Sequence, residues 1–237
     1  VMTSSVSTTL HDFGRQLAGP APLRIVGATS NGGIDESVVS AVAGTPGVKT
    51  AVPLVQVVTY AGTAEQPHAE TIVGLGVDCS VQAIVGRFGC SPAALKALNA
   101  RGGVAISTSL AARLGKDAMI QTNAEPIPVR AAIRLPTLNE INGGDVAVFG
   151  LDQAQHLFSR ADRLDVIYVL PDAGADVTAL RARLQDSVGD WNGVLTATDP
   201  PPAVGVYTST VLPPFTLLSL FALAVGGRLI FNIASLA

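Results

Sequence analysis

One order of elements is written twice in this 237-residue chain, weak in identity but specific in sequence of elements, with a stretch of different grammar between the copies. The first copy runs from LRIVGA (23–28), which alternates as a strand does, through a turn at 31–33. Asp35 stands there as N-cap candidate for the helical ESVVSAVAG, which Gly44, Pro46 and Gly47 end. The β-branched VKTAVPLVQVVTYA (48–61) follows as a long strand, in which Pro53 points to an edge or a bulge. The second copy has LDVIYVL (164–170) as strand and Asp176 as N-cap. Its helix, VTALRARLQDSVG, carries Val177, Leu180, Leu184 and Val188 on one stripe, and VLTATD (194–199) is the closing strand. Gly33-Ile34-Asp35 corresponds to Gly174-Ala175-Asp176, and Gly47-Val48 to Gly193-Val194. Each copy is therefore a βαβ unit of the form strand, Gly-x-Asp, helix, Gly-Val, strand.

The region between the copies has a different grammar. TIVGLGVD is a strand, SPAALKALNA a short helix, GGVAIS a strand and STSLAARLG a helix ended by Gly115. AMIQT, PIPVRAAIR and GDVAVFG are short strands separated by Pro and Gly, and LDQAQHLFS (151–159) is a helix leading back to the second unit. The layout is that of a split α+β domain with a β-rich insertion. At this length the domain buries enough surface to fold without metal or disulfide.

Composition then locates the chain. Only 14% of its residues are charged and 48% are hydrophobic, where a soluble domain carries about 25% charge. Mean hydropathy is +0.43, which excludes a disordered chain. The net charge of -3 excludes counterion-driven binding to nucleic acid. The apolar excess concentrates at 211–227, VLPPFTLLSLFALAVGG, a run without charge that spans about 26 Å as a helix. With LIFNIASLA after Arg228 it is long enough for a bilayer core of about 30 Å. Pro213 and Pro214 suit a first helical turn. Arg228 opposes the assignment, since a charge at mid-membrane costs about 2.5–3.5 kcal/mol, unless it snorkels, pairs or lies near an interface. We read 211–237 as a transmembrane helix, with a buried C-terminal helix as the alternative. VMTSSVSTTLHDF lacks the basic start and apolar core of a signal peptide, so the sequence reads as a piece of a larger protein.

No catalytic set is recognisable. There is no GxxxxGK[ST] and no GxSxG, and GLGVD at 74–78 lacks the third glycine of a dinucleotide motif. Ser107, Thr108 and Ser109 precede a helix, where hydroxyls cap rather than attack. His11, His68 and His156 are far apart, and Asp145, Asp152, Asp162 and Asp165 sit near element ends, as caps do. No metal spacing appears. Cys79 and Cys90 form either a disulfide, natural in an extracytoplasmic domain, or two free buried thiols.

Several stretches resemble the extracytoplasmic (periplasmic core) domain of FtsX/MacB-type ABC transporter permeases. GTPGVKTAVPLVQVVTYA is similar to that family's helix end and strand, TIVGLGVD to a "v.GvdP" strand, and RGGVAISTSLAARLG to its "g.vvis..lA..lg" segment. The most specific likeness is VFGLDQAQHLFSRADRLDVIYVLPDAGADVTALRARL. LLSLFALAVGGRLIFNIASLA resembles the start of the family's second transmembrane helix, although Arg228 stands where the family is apolar. The family's "GD.v.l" is represented only by Gly115-Lys116-Asp117.

The resemblance implies a lead-in helix at 1–19 and a porter-like domain made of 20–61 and 150–199. It further implies an inserted β-rich subdomain at 62–149, a Pro-rich linker at 200–210 and a transmembrane helix at 211–237. Pro200, Pro201 and Pro202 then form a semi-rigid coupling linker. The implied role is that of a bacterial ABC permease subunit, not an enzyme, in the cell membrane with most of this chain outside. It couples cytoplasmic ATP hydrolysis to export or extraction of a hydrophobic substrate by mechanotransmission. The implied partners are an ABC ATPase domain or subunit that binds the ATP, a second permease subunit forming a dimer, the membrane, and an extracytoplasmic protein or lipophilic cargo. This chain itself takes no cofactor. The alternative role is a signalling module that recruits and activates an extracytoplasmic cell-wall hydrolase.

Overall fold

In the first βαβ copy, alternating burial along LRIVG produces strand β1 (Leu23–Gly27), with Leu23 and Ile25 turned inward. The computed structural model describes residues 21–27, 33–85, 90–100, 103–129, 132–196 and 199. The lead-in helix expected over 1–19, the linker prolines Pro200, Pro201 and Pro202, and the helix expected over 211–237 lie outside these residues. Among the described residues no helix is long and apolar enough to cross a membrane.

After β1 come the short β2 (Ile34–Asp35), helix α1 (Val38–Ala43) and β3 (Val48–Gly62). The second copy is built from β10 (Arg163–Leu164), β11 (Val166–Pro171), α5 (Val177–Val188) and β12 (Asn192–Thr196). The stripe read from the sequence is the buried face of α5, where Leu180, Leu184 and Val188 are buried. Removing each from water contributes about 1.5–3 kcal/mol. Asp176 caps α5, its carboxylate accepting from the amides of Thr178 and Ala179 at 2.9 and 3.3 Å.

Asp35 does not cap its helix. The N-cap of α1 is Ser37, and Asp35 lies in β2, where it pairs with Arg163 of β10. Its carboxylate instead closes a local turn, accepting from the Ser37 hydroxyl at 2.6 Å and the Ser37 amide at 3.0 Å. Those two bonds, the hydroxyl first, hold the Asp35 carboxyl below its ordinary range.

The two copies interleave. β1 runs antiparallel to both β11 and β12, and β11 runs antiparallel to β3, giving the order β12-β1-β11-β3. Each strand pair of one βαβ unit is thus parted by a strand of the other, the split-βαβ arrangement. α1 and α5 lie side by side on one face of this sheet, where the Thr45 hydroxyl after α1 donates to the Ser187 hydroxyl of α5 at 3.2 Å.

The intervening region adds β4 (Glu70–Val77), α2 (Pro92–Ala100), β5 (Val104–Ser107), α3 (Thr108–Leu114), β6 (Met119–Ile120), β7 (Ile127–Pro128), β8 (Ile133–Leu135), β9 (Val146–Gly150) and α4 (Leu151–Leu157). Single 3-10 turns occupy Cys79–Ala83 and Pro136–Glu140. Its strands continue the same sheet, β3-β4-β9-β5-β8, rather than closing one of their own, and the described sheet has ten strands. Most pairs are antiparallel, but β4–β9 and β5–β8 are parallel.

Both faces of the sheet are apolar. One packs against α1, α3, α4 and α5 through residues such as Ile25, Val55, Phe149 and Ile167. The other, with Val52, Leu75, Val148 and Tyr168, gathers Val81, Leu98 and Leu138 from the 3-10 turns and α2. Gly74 and Gly76 of β4 serve the first face. A Cβ on Gly76 would stand 2.3 Å from the Ala154 Cβ, so the missing side chain is what lets α4 lie flat on the strand.

The outer edge at β12 is closed by its own helix. The Val194 amide donates to Gln185 Oε1 at 3.1 Å, Gln185 Nε2 donates to the Asn192 carbonyl at 2.8 Å, and Arg181 Nε donates to the Val194 carbonyl at 2.9 Å. Side chains of α5 thereby occupy the positions a further strand would use.

Candidate functional site

The hydroxyls ahead of α3 are committed to structure. Ser107 is 0% exposed; its Oγ donates to the Gly144 carbonyl at 2.6 Å and accepts from the Leu110 amide at 2.9 Å as the N-cap. A serine whose one proton is already given to a backbone carbonyl is no poised nucleophile. Thr108 and Ser109 bond instead to the Asn139 side chain. Asp145 pairs with Arg113, which also reaches Glu70 at 3.5 Å on the surface.

Among the described residues no histidine gathers with carboxylates into a cluster of three or more such groups. His68, in the loop between β3 and β4, lies against Tyr60 of β3 with ring centroids 4.5 Å apart and planes tilted by 39°. His156 lies in the last turn of α4 and Asp152 in its first, each on the favourable side of the helix dipole. His11 lies outside the described residues. Among those residues no group of three or more His, Cys, Asp or Glu could hold a metal ion.

Cys79 and Cys90 are brought together, with Sγ atoms 2.02 Å and Cα atoms 5.3 Å apart. The link ties the 3-10 turn after β4 to the approach to α2. Val81 and Ile84 beside it, and Leu98 of α2, rest on the second apolar face of the sheet.

What the structure builds with most care is the place where β3 changes neighbours. Its first half, Val48 to Leu54, pairs with β11, and its second half, Leu54 to Ala61, pairs with β4. Leu54 alone is opposite both, facing Val166 on one side and Val77 on the other. Pro53 fits because of this exchange. The Leu54 carbonyl and the Gln56 amide point toward Asp165, so by strand alternation the amide-less nitrogen of Pro53 points to the β4 side. There the β4 ladder begins only at Leu54. The proline removes no ladder bond, as an edge position requires.

Asp165, between β10 and β11, finishes the first ladder. Its amide donates to the Leu54 carbonyl at 3.0 Å, and its Oδ2 accepts from the Gln56 amide at 2.8 Å. Its Oδ1 accepts from Arg160 Nε at 3.3 Å, with the Asp165 side chain 6% exposed and that of Arg160 16%. Arg160 Nη1 donates in turn to the Phe158 carbonyl at 3.2 Å, and the Phe158 ring meets Phe149 of β9 edge-on at 5.3 Å. The sequence marks Asp165 only as one of four acids near element ends, within the strand read at 164–170.

A second tie lies next to it. Gln155 of α4, 7% exposed, donates to Glu36 Oε2 at 2.7 Å, and the Glu36 amide donates to the Asp162 carbonyl at 3.0 Å. With the β2–β10 pair, these contacts join the first βαβ unit, the end of the intervening region and the entry to the second unit at one point. Three segments of the chain are held together here, and among the described residues at this point no acid, base and nucleophile converge.

No protein-family model matches the chain, and no curated protein matches it. Solved structures do. The periplasmic region of MacB from Actinobacillus actinomycetemcomitans superposes with a TM-score of 0.53 at 8% identity, over 83% of this chain and 96% of that one. The extracellular domain of a noncanonic ABC-type transporter, YknZ, from Gram-positive bacteria gives a TM-score of 0.49 at 15% identity, over 68% and 89%. At this identity the likeness is one of fold: the described α+β architecture resembles that of the periplasmic region of MacB.

Proposed function

We propose that this chain is the extracytoplasmic part of a bacterial ABC transporter permease subunit, carried on a transmembrane helix at 211–237. It couples ATP hydrolysis by a cytoplasmic ATPase to export or extraction of a hydrophobic substrate by mechanotransmission. In this reading 20–61 and 150–199 form the porter-like half, 62–149 the inserted half, and Pro200, Pro201 and Pro202 the stiff link to the membrane, within a dimer of permease subunits.

The observation that carries the reading is β3. It is one uninterrupted strand of 15 residues that serves the porter-like half with its beginning and the inserted half with its end. A displacement entering where β1 begins and β12 ends would cross from the porter-like half into the inserted half along covalent backbone rather than through a hinge. The shared fold with the periplasmic region of MacB supports the same reading. The test is a flexible Gly/Ser insertion at 200–202 in the full transporter. ATPase activity should persist while transport is lost; normal transport by that variant overturns the mechanical role.

The rival role, recruitment and activation of a cell-wall hydrolase, draws support from Trp191. It stands 81% exposed at the turn between α5 and β12, and tryptophan is one of the side chains enriched among those that dominate protein contacts. Trp191→Ala separates the two. It should leave transport intact if the chain serves a transporter, and abolish hydrolase activation if it serves as a docking module.

A further inference from the structure

We propose that the Arg160–Asp165 pair is a locking joint that makes the two halves of the sheet move as one rigid body. The reason lies in what β3 lacks at that point. Past Leu54 the β11 ladder has ended, and the side of β3 that it occupied would present the Gln56 amide without a strand. Asp165 fills the place with a side chain, its Oδ2 taking the Gln56 amide at 2.8 Å, while its own amide holds the Leu54 carbonyl at 3.0 Å. Two consecutive outward-facing groups of β3 are thus gripped by one residue of the opposite unit.

Arg160 ties this grip to Phe158, whose ring reaches the other half. Its Nε holds Asp165 Oδ1 at 3.3 Å, and its Nη1 holds the Phe158 carbonyl at 3.2 Å. Phe158 is 3% exposed, packed edge-on against Phe149 of β9, a strand that belongs to the intervening region. The turn carrying Arg160 is itself tightly specified, with Ser159 and Asp162 both in the left-handed region at φ 57° and 55°. Non-glycine residues persist there only where their surroundings over-determine them. A charge pair with both partners mostly out of water also gains little net stability over an apolar pair. Its value here lies in fixing direction: three elements meet at one carboxylate.

The pair matters for the mechanical reading but does not depend on it, because rigidity can be measured without ATP or cargo. The experiment uses the 237-residue chain with nitroxide labels at Asp186→Cys on α5 and Lys116→Cys beyond α3, both exposed positions, Cys79 and Cys90 being joined to each other. Pulsed electron paramagnetic resonance then reads the distance between the halves. The parent should give one narrow distribution. Asp165→Ala and Arg160→Ala should each lose it in favour of a broad one, and Asp165→Asn, which keeps an acceptor for Gln56 but no charge for Arg160, should fall between. A folded Asp165→Ala or Arg160→Ala with the parent's width overturns the proposal. If Asp165→Ala does not fold, Arg160→Ala, which leaves the Gln56 contact in place, decides it alone.

Discussion

Arg24 and Tyr168 face each other across the β1–β11 ladder, and the guanidinium hydrogen-bonds to a phenol that is 1% exposed. Burial pushes the Tyr168 hydroxyl above its ordinary pKa, and Arg24 offsets part of that shift. The sign is fixed by linkage. Above about pH 10 an unfolded tyrosine loses its proton while the folded one keeps it, so stability falls as pH rises through that range. Thermal melts from pH 9 to 11 should therefore show an alkaline loss that Tyr168→Phe removes in part. Identical pH slopes for the two proteins would count against a raised folded-state value.

The close approach of α4 to β4 should make Gly76 intolerant. Valine suits a strand, yet its Cβ would sit 2.3 Å from that of Ala154. Overpacking of this kind costs about 1–3 kcal/mol, and Gly76→Val should lower the urea midpoint accordingly. Gly193→Ala is the control: the nearest atom to its added Cβ is 3.8 Å away, and its midpoint should stay close to the parent's.

The two aspartates that look equivalent in the repeat should behave differently. Asp176 accepts from two amides of α5, and Asp176→Ala should cost about 1 kcal/mol, the usual loss of an N-cap. Asp35→Ala removes only an exposed local turn and should cost less. Equal losses in chemical denaturation would argue against the capping assignment.

Much of the fold can be read from residue pattern alone, because its signals are local. The stripe on α5, the cap at Asp176 and the alternation of β1 each follow from spacing within a few residues. Asp35 misleads because its real constraint, the β2–β10 pair, comes from Arg163 in the other repeat. The interleaved strand order is equally invisible, since nothing in either unit says that a strand of the other lies inside it. The joint was hidden for the same reason: Asp165 is plain in RLDVIYVL, but its partner Gln56 is 109 positions away. Gln185 and Arg181 lie off the apolar stripe of α5, where spacing carries no signal of a partner, and only the fold brings β12 beneath them.

That edge closure yields its own expectation. Replacing Gln185 by Ala removes the acceptor of the Val194 amide and the donor to Asn192. Hydrogen exchange at Val194 should accelerate, and native mass spectrometry at high concentration should show dimers formed by strand addition at β12. A variant with unchanged exchange at Val194 would show that Gln185 does not guard the edge.

Joining Cys79 to Cys90 closes a short loop. On chain-entropy grounds such a closure stabilises by about 3 kcal/mol. Intact mass should rise by about 2 Da on reduction, the two hydrogens gained when a disulfide opens to thiols. The double substitution Cys79→Ala and Cys90→Ala should lower stability by a similar few kcal/mol without unfolding β3.

The continuity of β3 also sets a scale of movement. A strand of 15 residues is about 50 Å long. Held stiff at its crossing point, it acts as a lever arm: a tilt of about 5° where Val48 lies carries the Gly62 end sideways by about 4 Å, given that length. Rotations at the Val48 end too small to disturb the packing there would thus become displacements the size of a side chain at the Gly62 end.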